Sequence, residues 1–538
     1  MSKDFDYIIV GGGSAGCVLA NRLSERPEIK VLLIEAGPKD WNPLYDIPIL
    51  AGSLYRFKYN NWYYQTESEK YLNGRKIFWP RGKVLGGSSS INGMIYTVGL
   101  TSDYNTWAQL GNNGWGWDDV EAYFIKSHKY MNKNKKEINP YGYLPINKSP
   151  FSHPITEAFI ESGMAANENY CNNFNNGEAS GVGYYEFTWE AGKRKSTSKT
   201  FLNKSRNRKN LRILTNCHVK KILFNKKNCT GVRVIIRNKE ENFYTKKEVI
   251  LSAGTVNSPS LLLRSGIGPG KELQKIGIKV INNLNGVGKN LQDHLLVRIQ
   301  IASDYNDTLH KYLRWDKITL NILKAYILKK GIGSIFPLTA GAYLKSTKDK
   351  DIPDLQSHFL PGLSTGKIRF PWSKSDRLNQ PGFFANIYQL RPESRGKITL
   401  NSKDPLGEPK IYANYLEKEN DIICLRNGVE VIRNIFSQKP LSKYFSHEIE
   451  PGNLIKTEEQ IDHWIRKTAE TVFHPVGTCK MGPKTDLNSV VDNDLRVIGV
   501  DNLRVVDASI MPLITSSNTN APTIMIAEKA SDLILNKQ

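Results

Sequence analysis

The feature that most restricts the fold lies within residues 7–35. A short apolar run at 7–10 leads into GGGSAG at 11–16, then a helix-like stretch over 17–23 and a second apolar run at 31–34. Short continuous apolar runs suit parallel strands buried on both faces. Strand, glycine turn, helix and strand in this order make the mononucleotide-binding unit of a doubly wound α/β fold. Gly11 permits the tight turn, Gly13 lets a pyrophosphate approach the backbone, and Gly16 lets helix and strand pack closely. Ser14 and Ala15 complete the turn, and the helix start directs its partial positive charge toward phosphate. Glu35 closes the second strand at the spacing of an acceptor for a ribose hydroxyl. The pattern predicts a dinucleotide cofactor but does not by itself separate FAD from NAD.

Further strands are predicted at residues 211–214, 232–236 and 248–251. The span 301–465 mixes β-like runs (382–390, 397–400) with a helix over 420–435. The polar stretch 132–137 reads as a surface loop. No internal repeat is visible.

Three later segments carry candidate chemistry. GKVLGGSSSIN at 82–92 offers a tight turn with amides and hydroxyls, suited to a polar cofactor or simply to a Gly/Ser loop. GTVNSPSLLLRSGIG at 254–268 reads as a strand end, a helix and a glycine stop. Near the C-terminus, His474 lies in HPVGTCKMG, and Asn518 precedes a helix predicted over 521–535. Asn520 is placed as its N-cap, with Pro522 in the first turn. His474 and Cys479 have a spacing that two metal ligands could share, but no third ligand accompanies them, so no metal is expected.

The net charge is +22, from 74 basic and 52 acidic residues. Basic clusters fall at 133–136, 193–209 and 226–227. They fit an anionic partner or a solvated face. Without a zinc-finger, RNP or helix-turn-helix pattern the second reading is preferred, and no nucleic-acid partner is expected. There is no secretory signal pattern and no apolar run long enough to span a membrane. The six cysteines are scattered. The expectation is a cytoplasmic protein with reduced cysteines and at most weak peripheral contact at the inner face of a membrane.

These motifs together resemble the glucose–methanol–choline (GMC) oxidoreductases, in particular the choline dehydrogenase-like branch. The resemblance rests on GKVLGGSSSINGMIYTVG and GTVNSPSLLLRSGIG, with VGKNLQDH at 287–294, LRPESRGKITL at 390–400, HPVGTCKMG and NTNAPTIMIAEKASD, and runs over nearly the whole chain. It implies an α/β fold: a Rossmann-like FAD-binding domain (1–148, 192–300 and 470–538) with an inserted α+β substrate domain (149–191 and 301–469) whose mixed sheet roofs the flavin. It implies that His474 and Asn518 are the catalytic pair. Cofactor contacts are implied at Ala36, at Val84, Gly87, Ser88, Asn92, Gly93 and Met94, and at Val219, Ala253 and Gly254. In the C-terminal region they are implied at Phe473, Asp507, Ala508, Asn520, Pro522 and Thr523. Some members link FAD covalently through a histidine at the position that Ile91 holds here, so the resemblance implies non-covalent FAD.

The expected reaction is oxidation of an alcohol, primary rather than secondary, to an aldehyde. His474 takes the hydroxyl proton, Asn518 positions the oxygen and flavin N5 accepts the hydride. The electrons would pass to O2, a quinone or another carrier, in a monomer or homodimer. Lyases of the same family, of the hydroxynitrile or fatty-acid photodecarboxylase kind, are the competing reading. A flavin-binding protein without turnover is the third.

Overall fold

The strand Asp4–Val10 pairs in parallel with Val31–Ile34 on one side and Lys239–Leu251 on the other in the computed structural model. The structure describes residues 3–536 apart from 56–57, 59, 130–138, 140–141, 365–369, 371–379, 402–403 and 405–406. The stretch 132–137, read as a surface loop, and the lysines of 133–136 lie outside the described residues.

Leu211–Leu214 extends this sheet beyond Val31–Ile34. Leu503–Val505, from the far end of the chain, runs parallel beside the last residues of Lys239–Leu251. Asn228–Ile236 and Cys217–Asn225 complete the seven strands in antiparallel fashion. Ile8, Ile9 and all of Val31–Ile34 are buried, as strands covered on both faces require. The helix Ser14–Leu23 packs on the first two strands and on the C-terminal helix Asn520–Asn536. There Arg22 donates to Glu528 from Nε (2.8 Å) and Nη2 (2.7 Å), both side chains being buried.

A second, eight-stranded sheet has the order His447–Glu450, Leu295–Ala302, Gly382–Gln389, Leu355–Leu360, Ala340–Leu344, Gly181–Tyr184 and Tyr170–Cys171, with Glu470–Thr471 also pairing to Leu295–Ala302. The last pair in this order is parallel and the other pairs are antiparallel. The helix Glu419–Ser437 packs on Leu295–Ala302 and Gly382–Gln389. Val297, Ile299, Phe383, Ala385 and Ile387 join Leu425 and Val429 in that core. Because strand side chains alternate, Leu296, Arg298, Phe384 and Asn386 face the other way, into the cavity described below.

The architecture is thus α/β, a Rossmann-like sheet with a second, mixed sheet. The boundaries expected at residues 300 and 470 fall at strands of the eight-stranded sheet. Leu295–Ala302 and Glu470–Thr471 both hydrogen-bond within the eight-stranded sheet, so a cut at either place would divide a paired strand or strip one away.

The basic run at 193–209 is largely tied into the fold. Arg194 is buried and donates from Nη1 to the carbonyl and Oδ1 of Asn92 (2.5 and 2.7 Å). Lys193 and Lys199 face Asp46, and Lys195 faces Glu190. Among the described residues no helix is long and apolar enough to cross a membrane.

Candidate active site

The glycine turn and the Gly/Ser turn interlock. Gly86 donates its N–H to the carbonyl of Gly12 (2.7 Å). Gly11 has φ +104°, and a Cβ there would lie 2.4 Å from the carbonyl oxygen of Ser252. A Cβ on Gly16 would strike the Gly11 carbonyl at 1.9 Å. A larger residue at Gly16 would push the helix off the glycine turn, and one at Gly11 would drive that turn away from Ser252.

Beside this junction opens a cavity of about 850 Å³ that runs between the two sheets, within the range of small-molecule sites. His474, Asn518 and nearly all the residues expected at the cofactor line it, from Gly11, Gly13, Ser14 and Ala15 through Gly254 to Asn520 and Thr523. Three do not. Gly16 is closed off by the packing just described. Val84 is wholly buried among Tyr45, Leu54 and Ile91. Pro522 is buried in the first turn of its helix. That helix begins at Asn520, whose Oδ1 accepts from the Ser14 hydroxyl (2.8 Å), tying the C-terminal segment to the glycine turn.

Glu35 faces the cavity, but its oxygens already hold backbone: Oε2 accepts from Gly12 N–H and Oε1 from Gly37 N–H, both at 2.8 Å. Only the second lone pair of each oxygen remains for a ribose hydroxyl. Burial pushes this carboxyl up to about 7, against the pull of those two N–H groups.

The walls fit FAD. Gly254 has φ +83°, and a Cβ added there would meet nothing within 4 Å, so its bare face opens onto the cavity. A Cβ on Gly13 would meet only Gly87 Cα, at 3.9 Å. The helix Ser14–Leu23 has no side-chain cap and no acidic residue in its first turn, which leaves that end open to an anion.

At the other end of the cavity stands a chain of polar groups. His294 Nε2 faces the carbonyl of Leu390 (3.1 Å), which places a proton on Nε2 and leaves Nδ1 as an acceptor. His474 Nδ1, 3.0 Å away, therefore donates to His294 Nδ1. His474 Nε2 is left as a lone pair, met by Asn518 Nδ2 at 3.2 Å. Asn518 is oriented in turn, its Oδ1 accepting from Thr97 Oγ1 (3.1 Å) and Gln356 Nε2 (3.4 Å). Burial, then the neighbouring His294, His358 and Arg81, hold the His474 imidazole well below its usual range, so it is neutral near pH 7. Burial likewise lowers His294 to about 4.

Asp293 fixes the backbone here. Its Oδ1 accepts from His474 N–H (2.7 Å), and its Oδ2 accepts from the hydroxyls of Thr471 and Tyr415 (2.5 Å each). Neither Asp293 nor His294 stood out as a site residue in the sequence, although both lie in VGKNLQDH. Arg298, Phe384 and Asn386 were missed as well. Their signal was the alternation of LLVRIQIA and GFFANIYQ, which gives the facing of a side chain only once the buried face is known.

An interlocked pair of glycine turns, a cavity that fits FAD and a histidine–asparagine pair at its far end define a flavin-dependent oxidoreductase. The sequence comparison agrees: residues 5–296 match the N-terminal domain and residues 392–527 the C-terminal domain of GMC oxidoreductases, and the chain belongs to that family of FAD-binding enzymes. It is 42% identical to an alcohol dehydrogenase [acceptor] of Pseudomonas putida, over 99% of this chain and 96% of that protein. It is 39% identical to the mitochondrial choline dehydrogenase of Mus musculus, over 99% of this chain and 89% of that protein. It is also similar to the crystal structure of pyridoxine 4-oxidase from Mesorbium loti, with a TM-score of 0.87 and 29% identity over 99% of both chains.

Proposed function

We propose that this enzyme oxidises a primary alcohol to its aldehyde, with FAD held non-covalently beside the seven-stranded sheet and the alcohol beside the eight-stranded one. The observation that carries this reading is the pairing of Asn518 Nδ2 with His474 Nε2, a donor and an acceptor 3.2 Å apart on the cavity wall. An alcohol oxygen needs both: a donor for its lone pair and an acceptor for its proton.

When bound, FAD supplies two-electron chemistry, accepting at N5 the hydride that leaves the alcohol carbon. The protein's task is the proton. His474 Nε2 takes it as the C–H bond weakens, and the imidazolium so formed keeps its Nδ1–H on the neutral His294. Asn518 holds the substrate oxygen, and Asp293 holds the backbone of His474 through its N–H. Burial that keeps His474 unprotonated before the reaction leaves it ready to act as a base. Ile91 lines the cavity at the position where some family members carry a linking histidine, and an aliphatic side chain cannot form that bond.

The similar dehydrogenases favour oxidation over lyase chemistry. The test is anaerobic mixing of the yellow holoenzyme with a panel of alcohols. Bleaching of the flavin by at least one of them is expected. A flavin that dithionite reduces and no alcohol reduces would reject the proposal.

A further inference from the structure

The substrate end of the cavity has a cationic fixture. Arg298 faces Asn386 across paired strands, donates from Nε to Asn386 Oδ1 (2.9 Å) and from Nη1 to Ser364 Oγ (3.2 Å), and lies over the ring of Phe384, 5.2 Å from its centroid. Of the five N–H groups of a guanidinium, these bonds use two. Among the described residues the only carboxylate near it is Glu470, 3.6 Å from Nη2 and 58% exposed. Arg298 lies two residues along its strand from Leu296, which pairs with Tyr388, and the Tyr388 ring lies 6.3 Å from that of His474. Two residues of strand span about 7 Å.

The described lining holds few carboxylates for a cation. Its carboxylates are Glu35, Asp507 and Glu470. Glu35 is bonded to backbone N–H groups, and Asp507 accepts from Gly254 N–H (2.9 Å), Ser258 Oγ (2.6 Å) and Ser509 N–H (2.8 Å). The aromatic face of Phe384, which could attract an ammonium, is taken by Arg298.

We propose that Arg298 is a specificity-determining residue, reading a carboxylate at the far end of the alcohol and excluding cationic alcohols, so that the preferred substrates are apolar-bodied hydroxy acids. This rests on the alcohol-oxidation reading above. The test compares three alcohols of one length in anaerobic flavin reduction: 6-hydroxyhexanoate, hexan-1-ol and 6-aminohexan-1-ol. The expected order of kcat/KM is acid, neutral, amine, with about 10- to 100-fold between acid and amine, the worth of a charge-assisted hydrogen bond. Arg298→Met should erase that gap between acid and amine while FAD content is retained. Glu470→Gln, which removes the competing carboxylate, should improve the acid. Preference for the amine, or an order that Arg298→Met leaves intact, overturns the inference. Failure of all three to reduce the flavin would instead strike at the alcohol-oxidation reading.

A second surface points elsewhere. In the helix Trp315–Leu328 only Ile318 and Ala325 are buried, while Trp315, Leu320, Leu323, Tyr326, Ile327 and Leu328 are 43–61% exposed. At 3.6 residues per turn, Leu320, Leu323 and Ile327 share a stripe, with exposed Lys317 and Lys324 along its edge and Lys329 and Lys330 after it. Asp316, the helix's one acid, is paired with Arg314. A Cβ on Gly333 would strike Asn321 and Ala325 of this helix, and Phe336 and Leu338, just beyond, line the cavity.

We infer that this helix lies in an anionic lipid surface, with its apolar stripe among the acyl chains and its lysines at the headgroups. Co-sedimentation with phosphatidylcholine vesicles, with and without phosphatidylglycerol, tests it at low and high salt. Binding that needs phosphatidylglycerol and partly survives high salt is expected, and Leu323→Glu with Ile327→Glu should abolish it without altering turnover of a soluble alcohol. Absence of binding, or its complete loss in salt, overturns the inference. So does light scattering in which the double substitution converts a dimer to a monomer, since a second copy would then cover the face.

Discussion

Replacing His294 tests the proton chain at a residue that need not touch the substrate. In His294→Leu the Nδ1–H of His474 loses its acceptor at 3.0 Å, in a place closed to solvent. A buried donor left unpaired costs about 1–3 kcal/mol. In the reaction that donor belongs to an imidazolium, so the upper part of the range applies to the transition state more than to the resting enzyme. The imidazole can also relax by moving its proton to Nε2, which removes the basic lone pair from the cavity. Either route predicts a fall of roughly 5- to 150-fold in the rate of flavin reduction. The assay is anaerobic rapid mixing with hexan-1-ol, normalised to bound flavin. His294→Gln, whose side-chain oxygen can accept the same proton, should recover part of the loss, which a merely packed histidine would not require. A His294→Leu enzyme within twofold of wild type, with normal flavin content, refutes the proton chain.

Other outcomes follow from the same geometry. His474→Ala should lose about two to four orders of magnitude in turnover, as removal of a general base does, while its flavin absorbance per protein stays near wild type. Asn518→Ala should slow flavin reduction but keep the shape of the wild-type pH profile; His474→Asn should lose that profile with the activity, and the reverse pattern across a pH series would reassign the base. Acid precipitation should leave the flavin in the supernatant, and colour retained in the washed pellet would show a covalent link. Burial depresses His358 to about 3 in the folded protein, so its contribution to stability is intact above the unfolded value of about 6.5 and is lost as pH falls toward its folded value, by up to about 1.4 kcal/mol per pH unit. Asp293, raised by burial to about 6, and Glu35 shift the opposite way. The readout is therefore the difference in Tm between wild type and His358→Gln from pH 7 to 5, which should narrow on acidification; parallel curves would count against it.

What could be read from the sequence was what leaves a local trace. Gly11 and Gly16 are legible because backbone contacts at 2.4 and 1.9 Å allow no other residue, and the strand Val31–Ile34 because both its faces are buried. The motifs around His474 and Asn518 singled them out as candidates, and both lie on the cavity wall. His294 was not singled out, because its role is a contact with a residue 180 positions away. Arg298 was hidden by strand periodicity: one side of LLVRIQIA packs on a helix and the other on the cavity, and alternation alone does not say which. The sequence also gave no warning that the helix Trp315–Leu328 buries so little of its apolar surface, since amphipathic spacing looks the same whether the stripe meets a core or a lipid.

The clasp between the chain's two ends has a consequence for how the protein is made. Arg22 and Glu528, 506 positions apart, form a buried ion pair, and Leu503–Val505 completes the parallel part of the seven-stranded sheet. At about 5–20 residues per second a ribosome takes roughly 25–100 s to deliver the second partner after the first. For that time the nascent chain lacks Glu528 beside Arg22 and has an unclosed sheet edge beside Lys239–Leu251, the sort of surface that associates wrongly and that chaperones cover. The flavin site can then close only once Leu503–Val505 and Glu528 have both been made and have reached the sheet and Arg22.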